Sequence, residues 1–276
     1  MLEARHISDL SRGRLERRCE MLAQPVYLGD HTGLCRVLGR YKMFLDTRDH
    51  GFACHVLLDG FWEIWLTQFI ARYVKPGMRV ADIGANYGYY SLLLGDLIGP
   101  QGALHCVEPN PAAAAMLRMS LAQNGFSERT TVHELALGAD DGEASLCVPR
   151  GEPKNAHVLP SGHISDMGPL HKISVRSFDA LLAGEPGLDF VKIDVEGSEE
   201  GIIAGMETLI RKFHPAMVLE FNVGRYRDPA SFLSKLGTLY SNIRYVDYDG
   251  NAAPIDSDAL LTTHVNEDWL LFLSQD

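Results

Sequence analysis

The stretch VADIGANYGYYSLLLG, residues 80–95, sets an acid, Asp82, two glycines, Gly84 and Gly88, and three tyrosines between a β-like run and a helix-like one. A glycine loop at such a junction lets a ligand approach the backbone, and three kinds of nucleotide ligand compete for it. A triphosphate cradle needs G-x-x-x-x-G-K-[ST], which the chain lacks. A dinucleotide site needs G-x-G-x-x-G, whose second glycine admits a pyrophosphate, and here Asn86 stands in its place. Asp82 adds a second objection: a carboxylate about 4 Å from a phosphate charge costs on the order of 4 kcal/mol at an effective dielectric near 20. A cationic ligand reverses that sign. S-adenosylmethionine carries a sulfonium and an ammonium, no phosphate, and a ribose that a carboxylate after the next strand can hold. Glu108 ends that strand, close to the spacing of about 20 residues expected of a ribose acid, and its two oxygens can accept from both ribose hydroxyls.

A second group of polar residues lies in FVKIDVEG, residues 190–197. Strand alternation puts Lys192 and Asp194 on one face, and a lysine in an otherwise apolar strand needs a partner if buried. Two readings stand side by side, a structural ion pair and a catalytic one in which Asp194 accepts a hydroxyl proton and Lys192 stabilises developing alkoxide charge. Glu196 is the alternative base. Glu220 and Asn222 end a later strand, and with Asp194 they offer oxygens for a hard divalent ion such as magnesium, a secondary reading. Among the 11 histidines, HELAL has Leu137 where the zinc protease pattern needs His. His157, His163 and His171 fall in one long polar stretch and could each act as a base from it.

These residues need elements to hold them. Apolar strands alternate with helices: RVADI, then a helix over about 89–97; ALHCVE, then a helix capped by Asn110 with Pro111 at its first position and Gly125 past its end. TVHEL and DFVKID follow. Ser198 opens a helix with Ile202, Ile203, Met206, Leu209, Ile210 and Phe213 on one face. AMVLEF is the fifth strand, Asp228 and Pro229 open a further helix, and IRYVDY and DWLLFL are two last strands parted by a turn at Asp249-Gly250. Repeated β-α units with apolar strands predict a mostly parallel sheet covered by helices on both faces, with ligands beyond the C-terminal strand ends. Ahead of it, residues 1–74 read as an N-terminal extension and cap. It starts as a helix plus loose chain to about residue 30, continues as a hairpin around Gly39, and ends in a helix from Phe61 to Tyr73 whose Trp62, Trp65 and Phe69 face the core. Residues 75–276 form the ligand-binding domain, within which 149–172 reads as a lid or substrate loop.

Composition narrows the function. A net charge of −11 and no clustered basic patch argue against nucleic acid. Five cysteines, none spaced C-x-x-C, suit reduced, buried thiols in a cytoplasmic protein. No charged-then-apolar leader is evident, and the most apolar stretch carries Asp59 and Glu63, so no membrane span is expected.

DIGANYGYYS, VEPNP, ISVRSFDALL and, above all, VKIDVEGSEEGIIAGM followed by PAMVLEFN resemble the FkbM-type methyltransferases, a branch of the class I S-adenosylmethionine-dependent fold. The resemblance covers about residues 33–222, with a weaker echo in DGFWE, which contains Glu63. It implies a Rossmann-like α/β fold with a seven-stranded sheet and an antiparallel last strand, a cofactor over the first two strands, and methyl transfer to a hydroxyl oxygen. It also implies that Asp82, Gly84, Asn86, Gly88 and Ser91 line the methionine part, Glu108 the ribose, Asn110 and Ala136 the surroundings of the adenosine, and Asp194 the edge of the reaction centre. Ala85, Tyr87, Pro109 and Glu63 belong to the same matched segments.

The leading expectation is therefore an O-methyltransferase acting on a small-molecule, glycan or polyketide-like hydroxyl. After the fourth strand stands DVEG, not the Asp/Asn-Pro-Pro-aromatic motif that would hold a nucleobase amine. The alternatives are a nicotinamide oxidoreductase, which Asp82 and Asn86 oppose, and a non-catalytic cofactor-binding module. The N-terminal helix could pack on its own domain or on a second copy, which leaves a homo-oligomer open.

Overall fold

The computed structural model of the chain describes all residues except 160–165, 264 and 276, and the side chain of Arg5. Residues 1–30 are more ordered than their weak periodicity predicts: helices α1 (Ala4–Asp9) and α2 (Arg12–Leu22) precede strand β1 (Val26–Gly29). β1 pairs with β2 (Thr32–Val37), and β2 forms the expected hairpin with β3 (Tyr41–Asp46). α3 (Ala53–Asp59) follows, and then α4 (Ile64–Tyr73), which begins only after Glu63, itself in a left-handed conformation at φ 37°.

The alternating units come next: β4 (Arg79–Ile83), α5 (Tyr89–Leu97), β5 (Ala103–Val107), α6 (Pro111–Gln123) and β6 (Thr130–His133). Asn110 caps α6 as its sequence predicts, accepting the Ala112 N–H at 3.1 Å. The chain then departs from simple alternation. β7 (Ala136–Leu137), β8 (Gly142–Cys147), β9 (His157–Leu159) and β10 (Leu170–Arg176) form a separate four-stranded sheet, ordered β7-β10-β8-β9. Residues read as one long loop thus supply β9 and part of β10, because β8 offers them an antiparallel partner on each edge.

After α7 (Phe178–Leu181) the main sheet resumes with β11 (Phe190–Ile193). The helix expected from Ser198 onward is two helices, α8 (Glu199–Ala204) and α9 (Glu207–Phe213). The break has a local cause: Gly205 gives its carbonyl to the Asp179 N–H at 2.9 Å, while the Asp179 carboxylate accepts the Thr208 and Leu209 N–H groups and so caps α9 afresh. β12 (Ala216–Phe221), α10 (Pro229–Leu239) and β13 (Asn242–Val246) follow. Beyond the turn at Asp249-Gly250 lie a short strand, β14 (Ala252–Pro254), and α11 (Ser257–Thr262) before β15 (Trp269–Ser274), so the last two long strands are parted by more than a turn.

Among the described residues the main sheet has the order β14-β13-β15-β12-β11-β4-β5-β6. β6, β5, β4, β11 and β12 pair in parallel, and β15 inserts antiparallel between β12 and β13. This is the expected seven-stranded class I arrangement with β14 added as an eighth strand at the edge. Alternation along the strands feeds two cores. Val80, Leu104, Cys106, Phe190, Val218 and Phe272 face α4, α5, α6 and the N-terminal elements, so residues 1–74 share this core with the sheet. Ala81, Ile83, Val107, Val191, Met217 and Leu271 face Phe178, Ile202, Met206, Ile210 and Phe232 on the other side. The strand order reverses at β4, between β5 and β11, and that reversal opens a crevice at the C-terminal strand ends.

Four cysteines are buried as expected, but Cys54 on α3 is exposed. No helix among the described residues is long and apolar enough to cross a membrane.

Candidate active site

A cavity occupies that crevice. Its empty space is about 1120 Å³ with the open mouth included, room for a cofactor-sized ligand and more. Its first wall is the loop after β4. Gly84 (φ 80°) turns the chain so closely over the end of β11 that a Cβ at this position would lie 1.8 Å from the Asp194 carbonyl oxygen, which explains the glycine by close approach. Asn86 also holds positive φ, at 48°. Glu108, at the end of β5, ties the loop down: its Oε2 accepts the Asn86 N–H and its Oε1 the Asn110 N–H, both at 2.8 Å. Burial pushes the Glu108 carboxyl up to about 7, against the pull of those two N–H groups.

The expected cofactor residues divide into two shells of different depth. Gly84, Ala85, Asn86, Glu108, Pro109, Ala136 and Glu63 line the cavity. Asp82, Tyr87, Gly88, Ser91 and Asn110 do not line it; they lie behind the loop and support it. Asp82 is buried, with one oxygen accepting the Ser91 hydroxyl at 2.6 Å and the other, Oδ1, lacking a hydrogen-bond partner among the described residues. Burial raises its pKa, and the nearby Lys192 charge opposes that rise.

The second wall is built from strand ends β11 and β12. Lys192 Nζ donates to Asp194 Oδ2 at 3.0 Å, with the lysine side chain 3% and the aspartate 32% exposed. The ammonium also sits 4.7 Å from the Tyr90 ring centroid. Burial opposes the lysine charge, but Asp194, Asp82 and Glu63 together outweigh it and hold its pKa above the usual value. Asp194 is held below the usual carboxylate range, because Lys192 and then Arg225 overcome its burial. Glu220 goes the other way: burial and the Asp194 charge raise its pKa, so it keeps a proton where Asp194 does not. Glu63 is pushed up to about 7 by burial and by Asp194, and its Oε2 accepts the Tyr90 hydroxyl at 2.7 Å.

The oxygen cluster differs from the expected one. Asp194, Glu196 and Glu220 each bring an oxygen within 4.8 Å of the others. Asn222 does not line the cavity; its side chain is engaged elsewhere, donating to Asp268 at 2.7 Å and accepting the Gly224 N–H at 2.9 Å, so that it caps its own turn. Arg225 already supplies the positive charge there. Its guanidinium pairs with Glu220, with Glu196 at 2.9 Å and with Asp268 at 3.1 Å. With Glu196 and Glu220 paired to Arg225 and Asp194 to Lys192, the cluster does not fit a magnesium centre.

Sequence reading missed several residues that shape the site. Trp62 precedes α4 rather than riding on its core face. It lines the cavity beside Phe52, ring centroids 5.2 Å apart, whereas Trp65 and Phe69 do pack on neighbouring rings. Pro153, Lys154, Ala156 and Val158 reach the cavity from the inserted sheet. Glu199, fully buried, accepts the Val195 and Gly197 N–H groups at 3.3 and 3.2 Å and the Tyr226 hydroxyl at 3.1 Å. It therefore fixes the loop that carries Glu196, a residue at φ 56°. The helical pattern of S-E-E gave no signal for this role. His157 and His171 do not line the cavity, and His163 lies outside the described residues.

Comparison with known proteins agrees with the resemblance seen in the sequence. Residues 82–249, more than half of the chain, match the Methyltransferase FkbM domain. The 2-O-methyltransferase NoeI of Sinorhizobium fredii is 27% identical over 160 residues, covering 52% of this chain and 64% of that protein. A protein-L-isoaspartate O-methyltransferase of Aeropyrum pernix is 40% identical over 52 residues, 19% of this chain and 20% of that protein. The chain thus spans less than two thirds of either relative. A solved FkbM methyltransferase from Methylobacillus flagellatus superposes with a TM-score of 0.47 at 15% identity, over 76% of this chain and 54% of that one.

Proposed function

We propose, from the premise that this chain belongs to the FkbM methyltransferase family, that it transfers a methyl group from S-adenosylmethionine to a hydroxyl oxygen of a small molecule. The observation that carries the reading is the set of carboxylates gathered at the C-terminal strand ends. Glu63, Glu108, Asp194 and Glu196 line one cavity, with the unpartnered Asp82 oxygen buried behind it, while Glu220 beside them keeps its proton. At the strand ends such a lining suits a sulfonium and an ammonium and repels a pyrophosphate. The relative named a 2-O-methyltransferase supports oxygen as the methyl acceptor.

When bound, the cofactor supplies a methyl group on a positively charged sulfur. The chain's own residues do the rest. Glu108 has a free lone pair on each oxygen to accept from the ribose hydroxyls, while Asn86 and Gly84 set the height of the loop above the strands. Asp194, the ionised member of its pair with Glu220, accepts the acceptor hydroxyl proton. Lys192 holds its own proton too firmly to act as a base; it orients Asp194 and keeps it charged. Alignment of oxygen, carbon and sulfur accounts for much of the rate, since effective molarity is worth about 7–11 kcal/mol.

The first test is calorimetric binding of S-adenosylmethionine, S-adenosylhomocysteine and NADH. Micromolar binding of the first two, weakened about 10- to 100-fold in Glu108→Ala, is expected; binding of NADH alone would overturn the reading. Transfer of a labelled methyl group from the cofactor to hydroxylated acceptors, abolished in Asp194→Asn with cofactor affinity retained, tests the role of the base.

A further inference from the structure

We infer that the cavity mouth is an acceptor subsite for a hydroxylated small molecule bearing an anionic group, a carboxylate or a phosphate, and that Lys154 is the residue that selects it. The inference rests on the methyltransferase reading and deepens it. Lys154 lies in the turn Pro153–Asn155 between β8 and β9 and lines the cavity. Its ammonium stands 5.4 Å from the centroid of the Trp62 ring. It has no hydrogen bond or ion pair to any described residue. Asp49, Glu63 and Glu196 feel its charge, but none is within ion-pair distance.

That combination differs from every other cation of the site. Lys192 is answered by Asp194, and Arg225 by three carboxylates. An aromatic face attracts an ammonium and fixes its position, yet it offers no acceptor to the three N–H donors. The charge is placed without being spent. Its neighbours come from residues 50–52 and 151–158. The lysine stem packs against Gly51, where a Cβ would come within 2.7 Å of Lys154 Cε. The His50 N–H donates to the Gly151 carbonyl at 2.9 Å, which joins the N-terminal segment to the chain just ahead of the inserted turn. Phe52, Ala156 and Val158 make the neighbouring lining apolar. An acceptor oxyanion here gains charge-assisted hydrogen bonds in partly desolvated surroundings, while its hydroxyl can extend toward Asp194 in the same cavity.

The test uses matched pairs that differ only in the anionic group: glucuronate against glucose, and 3,4-dihydroxybenzoate against 3,4-dihydroxybenzyl alcohol. Each is titrated calorimetrically into the protein saturated with S-adenosylhomocysteine. In at least one pair the anionic member should bind about tenfold more tightly, with the preference shrinking as salt rises. Lys154→Met should remove the preference, and Lys154→Arg should keep it. A preference that survives in Lys154→Met overturns the proposal, as does the absence of any anionic preference in both pairs, whether or not the neutral members bind. Failure of the protein to bind S-adenosylhomocysteine at all marks the methyltransferase reading, not this one, as the error.

Discussion

The two ends of the cavity are built by different means. The end over β4 and β5 comes from one continuous stretch, residues 82–110, and is fastened by backbone groups: Glu108 gathers the N–H groups of Asn86 and Asn110. The other end is assembled from pieces far apart in the chain: Phe52 and Trp62, Lys154, Lys192 with Asp194, and Glu220 with Arg225. It is fastened by side-chain charge and ring contacts. A continuous wall can keep a shared ligand in place, whereas a composite wall can change one contributor without disturbing the rest. That division suits a common cofactor and a variable acceptor.

Each of the following changes tests that contrast. The largest effect is expected at the composite end from Lys192→Met, which leaves Asp194 and the buried Asp82 without their cation. Loss on the order of 3 kcal/mol in denaturant unfolding should result, with methyl transfer abolished. Glu108→Ala strikes the continuous end. Two backbone N–H groups lose a charged acceptor, so S-adenosylhomocysteine affinity should fall by about 10- to 100-fold, while Glu108→Gln, which keeps one acceptor oxygen, should fall less. If Glu108→Ala left cofactor affinity intact, the continuous wall would not be the cofactor's.

Glu199→Ala should lower kcat more than it raises the cofactor dissociation constant, because it frees the loop of Glu196 without touching the loop of Asn86. A destabilisation of about 1–3 kcal/mol accompanies the loss of its hydrogen bonds. The pH dependence of stability is the fourth test. Glu63 and Glu108 have folded pKa values raised to about 7 from an ordinary 4.5. The folded state therefore holds protons that the unfolded chain has released. Their contribution is fully present below pH 4.5 and is lost as pH rises through about 7. Unfolding free energy of the ligand-free protein should fall across that window, and Glu63→Gln or Glu108→Gln should each flatten the slope. The smallest effect is expected from Asn222→Ala, which removes a turn cap outside the cavity. About 1 kcal/mol of stability should go, with transfer rates unchanged within about twofold; a large loss of rate would return Asn222 to the site.

The site was legible in unequal parts for the same reason. The Asp82 to Gly88 loop and Glu108 could be read because loop, strand end and acid follow one another within a single β-α-β unit. Lys192 and Asp194 could be paired because strand alternation is strictly two-residue. Trp62 was misplaced on a helix face because helical spacing from Phe61 onward looks continuous, and the left-handed Glu63 that delays α4 has no marker in the sequence. β9 and the first residues of β10 fell in a stretch that reads as a loop because they sit among Pro, Gly and His residues and find their partner only in β8.

By itself, then, the sequence determined the alternating α/β order, the cap of α6, the cofactor-type loop and the ion pair on β11, since each depends on residues within a few positions or one turn of each other. The pairing of Arg225 with Glu196, Glu220 and Asp268, the engagement of Asn222 with Asp268 outside the cavity, and the meeting of Lys154 with Trp62 emerge only from the tertiary structure. Those contacts join segments up to about a hundred residues apart, and their energies depend on burial and on distances that no local pattern of residues encodes.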